Sequence, residues 1–146
     1  MGSNEHILFV DDNPGDMVLV REALSESGHG TQLHTVPSGE EALKFLRAQA
    51  PYDSAPKPKV VLLDLNMPRK NGIQTLQEIR NDHELKSLPV IIFSSSTAPR
   101  DHQQANAHQA DAYIIKPHNF HEFMQVVRNI ETNWCIAKPL DNAGAV

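Results

Sequence analysis

Cysteine is almost absent from this sequence: Cys135 is the single one among 146 residues, which excludes an intrachain disulfide and a cysteine metal cluster. No apolar run is long enough to cross a membrane. The first residues contain no apolar signal core, so we expect a cytoplasmic protein. The net charge of −5, with histidine neutral, argues against nonspecific binding to nucleic acid or to an anionic membrane surface.

The sequence also lacks internal repeats, low-complexity segments and a linker long enough to divide it. Its 146 residues are the size of one domain, and 40% hydrophobic with 21% charged residues is ordinary for a globular protein. We predict one domain over residues 6–133. A disordered terminus or cloning remnant over 1–5 precedes it, and a C-terminal extension over 134–146 follows it.

An unbroken apolar run over residues 60–63 leads directly into Asp64, and Pro68 breaks the chain soon afterwards. A run that is apolar throughout, rather than alternating, is typical of a strand covered on both faces. Asp is a poor strand former and costly to bury. At the end of such a strand its carboxylate would lie at the sheet edge where ligands bind. The stretch alone leaves a second interpretation open, in which Asp64 only caps the following loop.

Strand-like and helix-like segments alternate along the rest of the chain. Four further strands are predicted over residues 7–10, 32–36, 89–93 and 112–115. Helical patterns separate them, and some open at a capping residue such as Asn13 or Ser38. This alternation predicts an α/β fold, a doubly wound five-stranded parallel sheet of the flavodoxin-like type with helices on both faces.

Four of the predicted strands end in polar side chains. Asp11 and Asp12 follow the first strand, Asp64 the third, Ser94 the fourth and Lys116 the fifth. The ends of parallel strands lie at one edge of the sheet, so these groups can converge although they are far apart in sequence. Their convergence is more informative than any one of them.

This set of side chains suits phosphoryl chemistry on a carboxylate. The Asp64 carboxylate can act as a nucleophile. Clustered carboxylates repel one another unless a cation such as Mg²⁺ lies among them. Lys116 would supply a fixed positive charge to phosphate oxygens, and Ser94 a hydroxyl donor. Asn66, two residues after Asp64, could offer its backbone carbonyl to the metal.

Taken together, these motifs resemble the receiver domain of a two-component response regulator. The resemblance covers roughly residues 6–133. The matching positions are Asp11-Asp12, Leu63-Asp64-Leu65-Asn66-Met67-Pro68, Gly72, Ser94-Ser95 and Lys116-Pro117.

The resemblance implies a phosphoacceptor and a metal site. Asp64 would accept phosphate from a sensor histidine kinase and later lose it by autodephosphorylation. Asp12, Asp64 and the backbone carbonyl of Asn66 would hold Mg²⁺, with Asp11 holding it through water and Mn²⁺ able to substitute. The protein would assist its own phosphorylation without being a classical enzyme.

The resemblance also implies a conformational switch. Ser94, where the family more often has Thr, would be the switch hydroxyl, although the run over 94–97 offers several hydroxyls. Tyr113 would be the aromatic that swings inward when Ser94 engages phosphate. Lys116 would bind the phosphate, and the Lys116–Pro117 bond would be cis.

A narrower resemblance links the chain to stand-alone regulators that partner bacterial phytochromes. It rests on residues 52–58, residues 81–89 and the tail at Trp134. Those regulators often form homodimers through the last strand, the last helix and a C-terminal arm. The interface expected here includes Tyr113, Trp134, Ile136 and Leu140, unless the apolar tail folds back on its own domain.

Two alternatives remain open at this point. The first is a pseudo-receiver, which would bind partners without phosphorylation. The presence of the complete set of site residues argues against it. A phosphatase of the haloacid dehalogenase type would need a general-acid Asp where this chain has Asn66. Too few residues follow Asn133 for a DNA-binding domain, so the output would pass to a downstream protein or along a phosphorelay.

Overall fold

Strands and helices alternate throughout the computed structural model, which describes residues 5–67 and 70–136. The strands are β1 (His6–Val10), β2 (Gln32–Val36), β3 (Val60–Leu63), β4 (Val90–Ser94) and β5 (Ala112–Ile115). The helices are α1 (Pro14–Ser27), α2 (Gly39–Leu46), α3 (Gly72–Asn81), α4 (Pro99–Ala107) and α5 (Phe120–Ile130). A π-helical turn, Glu131–Cys135, continues α5.

All five strands are parallel, in the order β2-β1-β3-β4-β5. Strand β3 therefore lies in the middle of the sheet, and its residues Val60–Leu63 are fully buried. This explains why its sequence is apolar throughout. The predicted doubly wound parallel sheet is confirmed, and the carboxyl ends of its strands share one edge.

Alternate side chains of the central strands feed two separate hydrophobic cores. On β3, Val61 and Leu63 pack into a core with residues of α2, α3 and α4. Their neighbours Val60 and Leu62 pack into the opposite core with residues of α1 and α5. With both faces covered, β3 is held firmly, and so is the carboxylate that follows it.

Side-chain caps fix where several helices begin. Asn13, Ser38 and Asn119 each accept a hydrogen bond from the backbone N–H three residues further on. The sequence predicts the caps at Asn13 and Ser38. At α3 the sequence reading missed a reciprocal capping box, in which Asn71 and Gln74 bond each other's backbone N–H groups. It fixes the start of the helix that follows the Asp64 loop.

The C-terminal part continues beyond the predicted domain boundary, which falls inside the π-helical turn. Trp134 and Ile136 are partly buried against the core formed with α1 and α5. Leu140 lies outside the described residues, as do residues 1–4. Among the helices of the described ranges, none combines the length and apolarity that a bilayer crossing needs.

Candidate functional site

A cavity of about 370 Å³ opens at the carboxyl edge of the sheet. The strand ends that follow β1, β3 and β5 meet there, as the sequence predicts. The lining residues are Asp11, Asp12, Asn13, Asp16, Asp64, Asn66, Ser95, Lys116, Pro117, His118 and Phe123. Carboxylates and one lysine thus dominate the polar side of the cavity.

Three carboxylates come together in this cavity. One oxygen from each of Asp11, Asp12 and Asp64 lies within 4.8 Å of the others. Asp11 and Asp64 are buried, whereas Asp12 is exposed. A set of carboxylate oxygens open to solvent on one side is what Mg²⁺ or Mn²⁺ requires, since these ions take oxygen ligands and keep several waters. The donor set therefore fits a divalent cation.

Asp64 is held by its backbone and by the loop after it. Its N–H donates to the carbonyl of Val10 at 3.0 Å, and its Oδ1 accepts from the N–H of Leu65 at 2.9 Å. Gly72 in turn donates its N–H to the carbonyl of Leu65 at 3.1 Å. A Cβ at Gly72 would overlap the Asp64 carbonyl oxygen and lie 2.8 Å from the Leu65 Cα, so the close approach requires glycine.

Burial dominates the electrostatics of Asp64. Desolvation raises the pKa of its carboxyl to about 6 from 3.8; the charge of Lys116 opposes this rise and that of Asp11 adds to it. An anion here is therefore costly without a nearby cation, and a bound divalent ion would remove much of that cost.

Lys116 is the cation of the site. Its Nζ donates to Asp11 Oδ2 at 2.6 Å and to Asp16 Oδ2 at 2.7 Å, while Asp64 Oδ1 is 4.0 Å away. Burial acts to lower the pKa of Lys116, but the hydrogen bonds to Asp11 and Asp16 raise it above its ordinary value. The ammonium therefore stays charged beside the Asp64 carboxylate.

The serine run places two hydroxyls differently. Ser94 ends β4 and is fully buried, and its Oγ accepts from the backbone N–H of Ser96 at 3.2 Å. Ser95 lines the cavity.

Tyr113 on β5 contacts the loop after β4. Its hydroxyl donates to the Ser96 carbonyl at 3.0 Å, and its ring stacks on the His102 ring with centroids 3.7 Å apart. The roles of Ser94 and Tyr113 as a switch stay predictions.

The Lys116–Pro117 bond is trans, so the predicted cis bond is wrong; in the described ranges the cis bond is Ala50–Pro51. The trans form of an X–Pro bond is favoured by roughly 0.5–1 kcal/mol unless tertiary packing reverses it. The residues at this position carry no local signal for the isomer. The expectation came from the family resemblance alone.

Asp16 and Asn13 belong to the site, although the sequence did not predict a role for them there. Asn13 caps α1 and donates its N–H to Asp11 Oδ1 at 2.8 Å. Asp16 lies in the first turn of the same helix and reaches Lys116. The available signal was positional: an acid in the first turn of a helix that opens at the site edge. The backbone carbonyl of Asn66 as a metal ligand stays a prediction.

Comparison with known proteins identifies relatives across nearly the whole chain. The family model described as the response regulator receiver domain matches residues 7–128. Response regulator Rcp1 of Synechocystis sp. is 34% identical over 128 residues, which cover 88% of this chain and 87% of Rcp1.

Solved structures give the same relationship. The phosphorylated cyanobacterial phytochrome response regulator RcpA superposes with a TM-score of 0.86 at 36% identity, over 90% of this chain and 94% of RcpA. The Mn²⁺-bound form of Rcp1 superposes with a TM-score of 0.85 at 32% identity, over 92% of this chain and 96% of that one.

Proposed function

Because this chain belongs to the response regulator receiver domain family, we propose that it accepts a phosphoryl group on Asp64 from a sensor histidine kinase. The observation that carries the proposal is the meeting of Asp64 with Asp11, Asp12 and Lys116 in one cavity. A carboxylate nucleophile, a set of metal ligands and a fixed cation are the parts that such a transfer needs.

In the proposed transfer, an Asp64 oxygen attacks phosphorus in line as the phosphorus–nitrogen bond of phosphohistidine breaks. The bonding electron pair returns to the imidazole of the kinase. The ammonium of Lys116, 4.0 Å from Asp64 Oδ1, is near enough to move onto a phosphoryl oxygen. Mg²⁺ held by Asp11, Asp12 and Asp64 would supply further positive charge against that of the transferred group.

The contribution of the protein is therefore position and charge rather than acid–base chemistry. Asp64 stands at the end of a fully buried strand and is tied to β1 and to the following loop. Attack by water on the aspartyl phosphate would later return the free carboxylate and inorganic phosphate.

The experiment is phosphorylation of the purified chain by acetyl phosphate with Mg²⁺, followed on phosphate-affinity gels. We expect one labelled species, absent in Asp64→Asn and retained in Asp53→Asn, which changes an exposed acid in the connector before β3. Absence of labelling in the unaltered protein would point to a pseudo-receiver. Rapid hydrolysis of many phosphate esters would point to a phosphatase.

We propose a phytochrome as the kinase, on the likeness to Rcp1 and to the phytochrome response regulator RcpA. The test is timed phosphotransfer from a phytochrome kinase and from kinases with other sensor domains, each autophosphorylated to the same extent. Faster transfer from the phytochrome supports the pairing, and equal or slower transfer contradicts it.

We also propose a homodimer that uses β5 and α5. Ile115 and Phe120 are exposed there, at 40% and 53%, and Tyr113 lies on the same strand. Trp134 and Ile136 are partly buried against the core of their own chain, so only their exposed parts can contribute to the interface. The role of Leu140 in the interface stays a prediction. Sedimentation analysis of the unaltered chain and of Phe120→Ser tests this: a dimer that dissociates in the variant supports it, and a monomer at all concentrations contradicts it.

Output through a downstream protein or a phosphorelay, a cytoplasmic location and the absence of nucleic-acid binding stay predictions. The labelled and unlabelled protein, used in turn as bait for partner proteins, would test the first of them.

A further inference from the structure

Lys116 is shared between the metal-binding carboxylates and an acid outside them. Its Nζ lies 2.7 Å from Asp16 Oδ2 and 4.0 Å from Asp64 Oδ1. Asp16 is not one of the three carboxylates that group closely enough for a cation. The ammonium therefore bonds to an acid on α1 and not to the proposed acceptor.

The position of Asp16 is fixed by the start of α1. Its backbone N–H donates to the Oδ1 of the capping residue Asn13 at 3.1 Å, and the side chain is only 18% exposed. The helix is anchored in the core by Val20, Ala23 and Leu24. Asp16 thus presents its carboxylate to Lys116 from a rigid support.

Asp11 also bonds Lys116, but its other oxygen has a second task. Its Oδ2 accepts from Lys116 Nζ at 2.6 Å, while its Oδ1 accepts from the N–H of Asn13 at 2.8 Å. Asp11 also belongs to the carboxylate set of the metal site. Two acids therefore bond to Lys116, and Asp16 is the one that does not belong to the metal-site carboxylates.

We propose that Asp16 is a positioning residue that holds Lys116 away from Asp64 and competes with the incoming phosphoryl group for its ammonium. The inference rests on the proposed function. Asp11 and Asp16 take two of the three N–H donors of Lys116 and hold its Nζ 4.0 Å from Asp64 Oδ1. Movement of the ammonium onto a phosphoryl oxygen at Asp64 therefore lengthens or shares the hydrogen bond to Asp16. Asp16 therefore limits phosphorylation of the resting protein.

The first test compares labelling by acetyl phosphate in Asp16→Asn and in Glu122→Gln. Glu122 is the matched control: it occupies the same place in the first turn of α5, and its N–H donates to the capping Asn119 at 3.1 Å, but its exposed side chain has no ion pair in the described residues. Asp16→Asn should label at least about threefold faster, through a lower half-saturating acetyl phosphate concentration rather than a higher maximal rate. Glu122→Gln should match the unaltered chain.

A second comparison separates positioning from simple charge repulsion. In a Lys116→Gln background, Asp16→Asn should give no acceleration, because the residue that Asp16 positions is gone. An equal acceleration in that background would mean that Asp16 only repels the anionic phosphodonor, and would overturn the proposal.

A spectroscopic measurement on the metal-free protein needs no activity. The side-chain ¹⁵N–¹H resonance of Lys116 should be protected from solvent exchange in the unaltered chain and in Glu122→Gln, and should exchange faster in Asp16→Asn. Unchanged exchange would overturn the proposal. If the unaltered chain is not labelled at all, the proposed function fails and the inference with it. If it is labelled but Asp16→Asn is no faster, the inference alone fails.

Discussion

The hydroxyl of Tyr113 on β5 donates a hydrogen bond to the carbonyl of Ser96, in the loop after β4, at 3.0 Å. The same loop is folded by two further bonds, from the Ser96 N–H to the Ser94 hydroxyl and from the Ala98 N–H to the Ser96 hydroxyl, each at 3.2 Å. Tyr113 therefore ties the last strand to the loop that carries the serines at the site.

Tyr113→Phe should loosen this loop. It removes one hydrogen bond, worth about 1 kcal/mol, and leaves the ring that stacks on His102. We expect faster amide hydrogen exchange at Ser96 and Ala98, measured by NMR. Tyr52→Phe is the control, since Tyr52 donates to Glu41 at 2.7 Å away from the site. Unchanged exchange in Tyr113→Phe, or an equal change in both variants, would contradict the proposed tie.

Gly72→Ala should destabilise the loop after Asp64. The added Cβ would overlap the Asp64 carbonyl oxygen and lie 2.8 Å from the Leu65 Cα, and relief of such overpacking costs about 1–3 kcal/mol. Urea unfolding gives the stability. The control is Gly15→Ala, where the nearest atom to the added Cβ is the Asn13 Oδ1 at 3.2 Å, the end of a side chain. Equal stability of the two variants would refute the prediction that the close approach at Gly72 requires glycine.

The sheet and its site edge were predictable because their signals are local and repeated. The unbroken apolar run before Asp64 indicated a central strand, and β3 occupies that place. Polar residues at other strand ends then had to share an edge. The Lys116–Asp16 ion pair was not predictable in the same way, because it depends on where α1 lies relative to β5. The trans Lys116–Pro117 bond follows the ordinary preference of an X–Pro bond, and the cis expectation came from the family resemblance rather than from these residues.

Without metal, the protein should lose stability as the pH rises from about 4 to about 6. The folded-state pKa of Asp64 is raised by burial to about 6 from 3.8, so the folded state binds a proton more tightly than the unfolded state. The stabilisation is complete below the pKa of Asp64 in the unfolded state, and it is lost as the pH rises through the pKa of Asp64 in the folded state. The loss should be on the order of 2–3 kcal/mol at 1.36 kcal/mol per pKa unit.

Urea unfolding between pH 4 and pH 8 in the presence of a chelator measures this loss. Asp64→Asn should reduce the slope and be more stable than the unaltered chain at pH 7, with the remaining slope due to Asp11, whose carboxyl pKa is also raised by burial. Asp53→Asn, at an exposed position, should keep the slope. An identical slope in Asp64→Asn would show that other groups produce the pH dependence.

Cys135 should be nearly inert in the folded protein. Its side chain is buried, and burial raises the pKa of its thiol to about 11 from 9.0. A disulfide reagent should therefore react at least about a hundredfold more slowly than with an exposed thiol. The comparison is a Cys135→Ala protein carrying Ser25→Cys on the exposed surface of α1. Rapid reaction of native Cys135 would mean that the C-terminal turn opens readily.

Divalent ions should stabilise the protein through the site that contains Asp64, the buried carboxylate that makes the metal-free form sensitive to pH. Mg²⁺ that binds the folded state alone adds about 2.7 kcal/mol at a hundred times its dissociation constant. Asp12→Asn tests the site cleanly, because Asp12 is exposed and its loss removes a metal ligand without uncovering a buried charge. Calorimetric titration should show weaker Mg²⁺ binding in Asp12→Asn, with metal-free stability nearly unchanged and Asp53→Asn binding normally. Equal Mg²⁺ affinity in all three proteins would place the ion elsewhere.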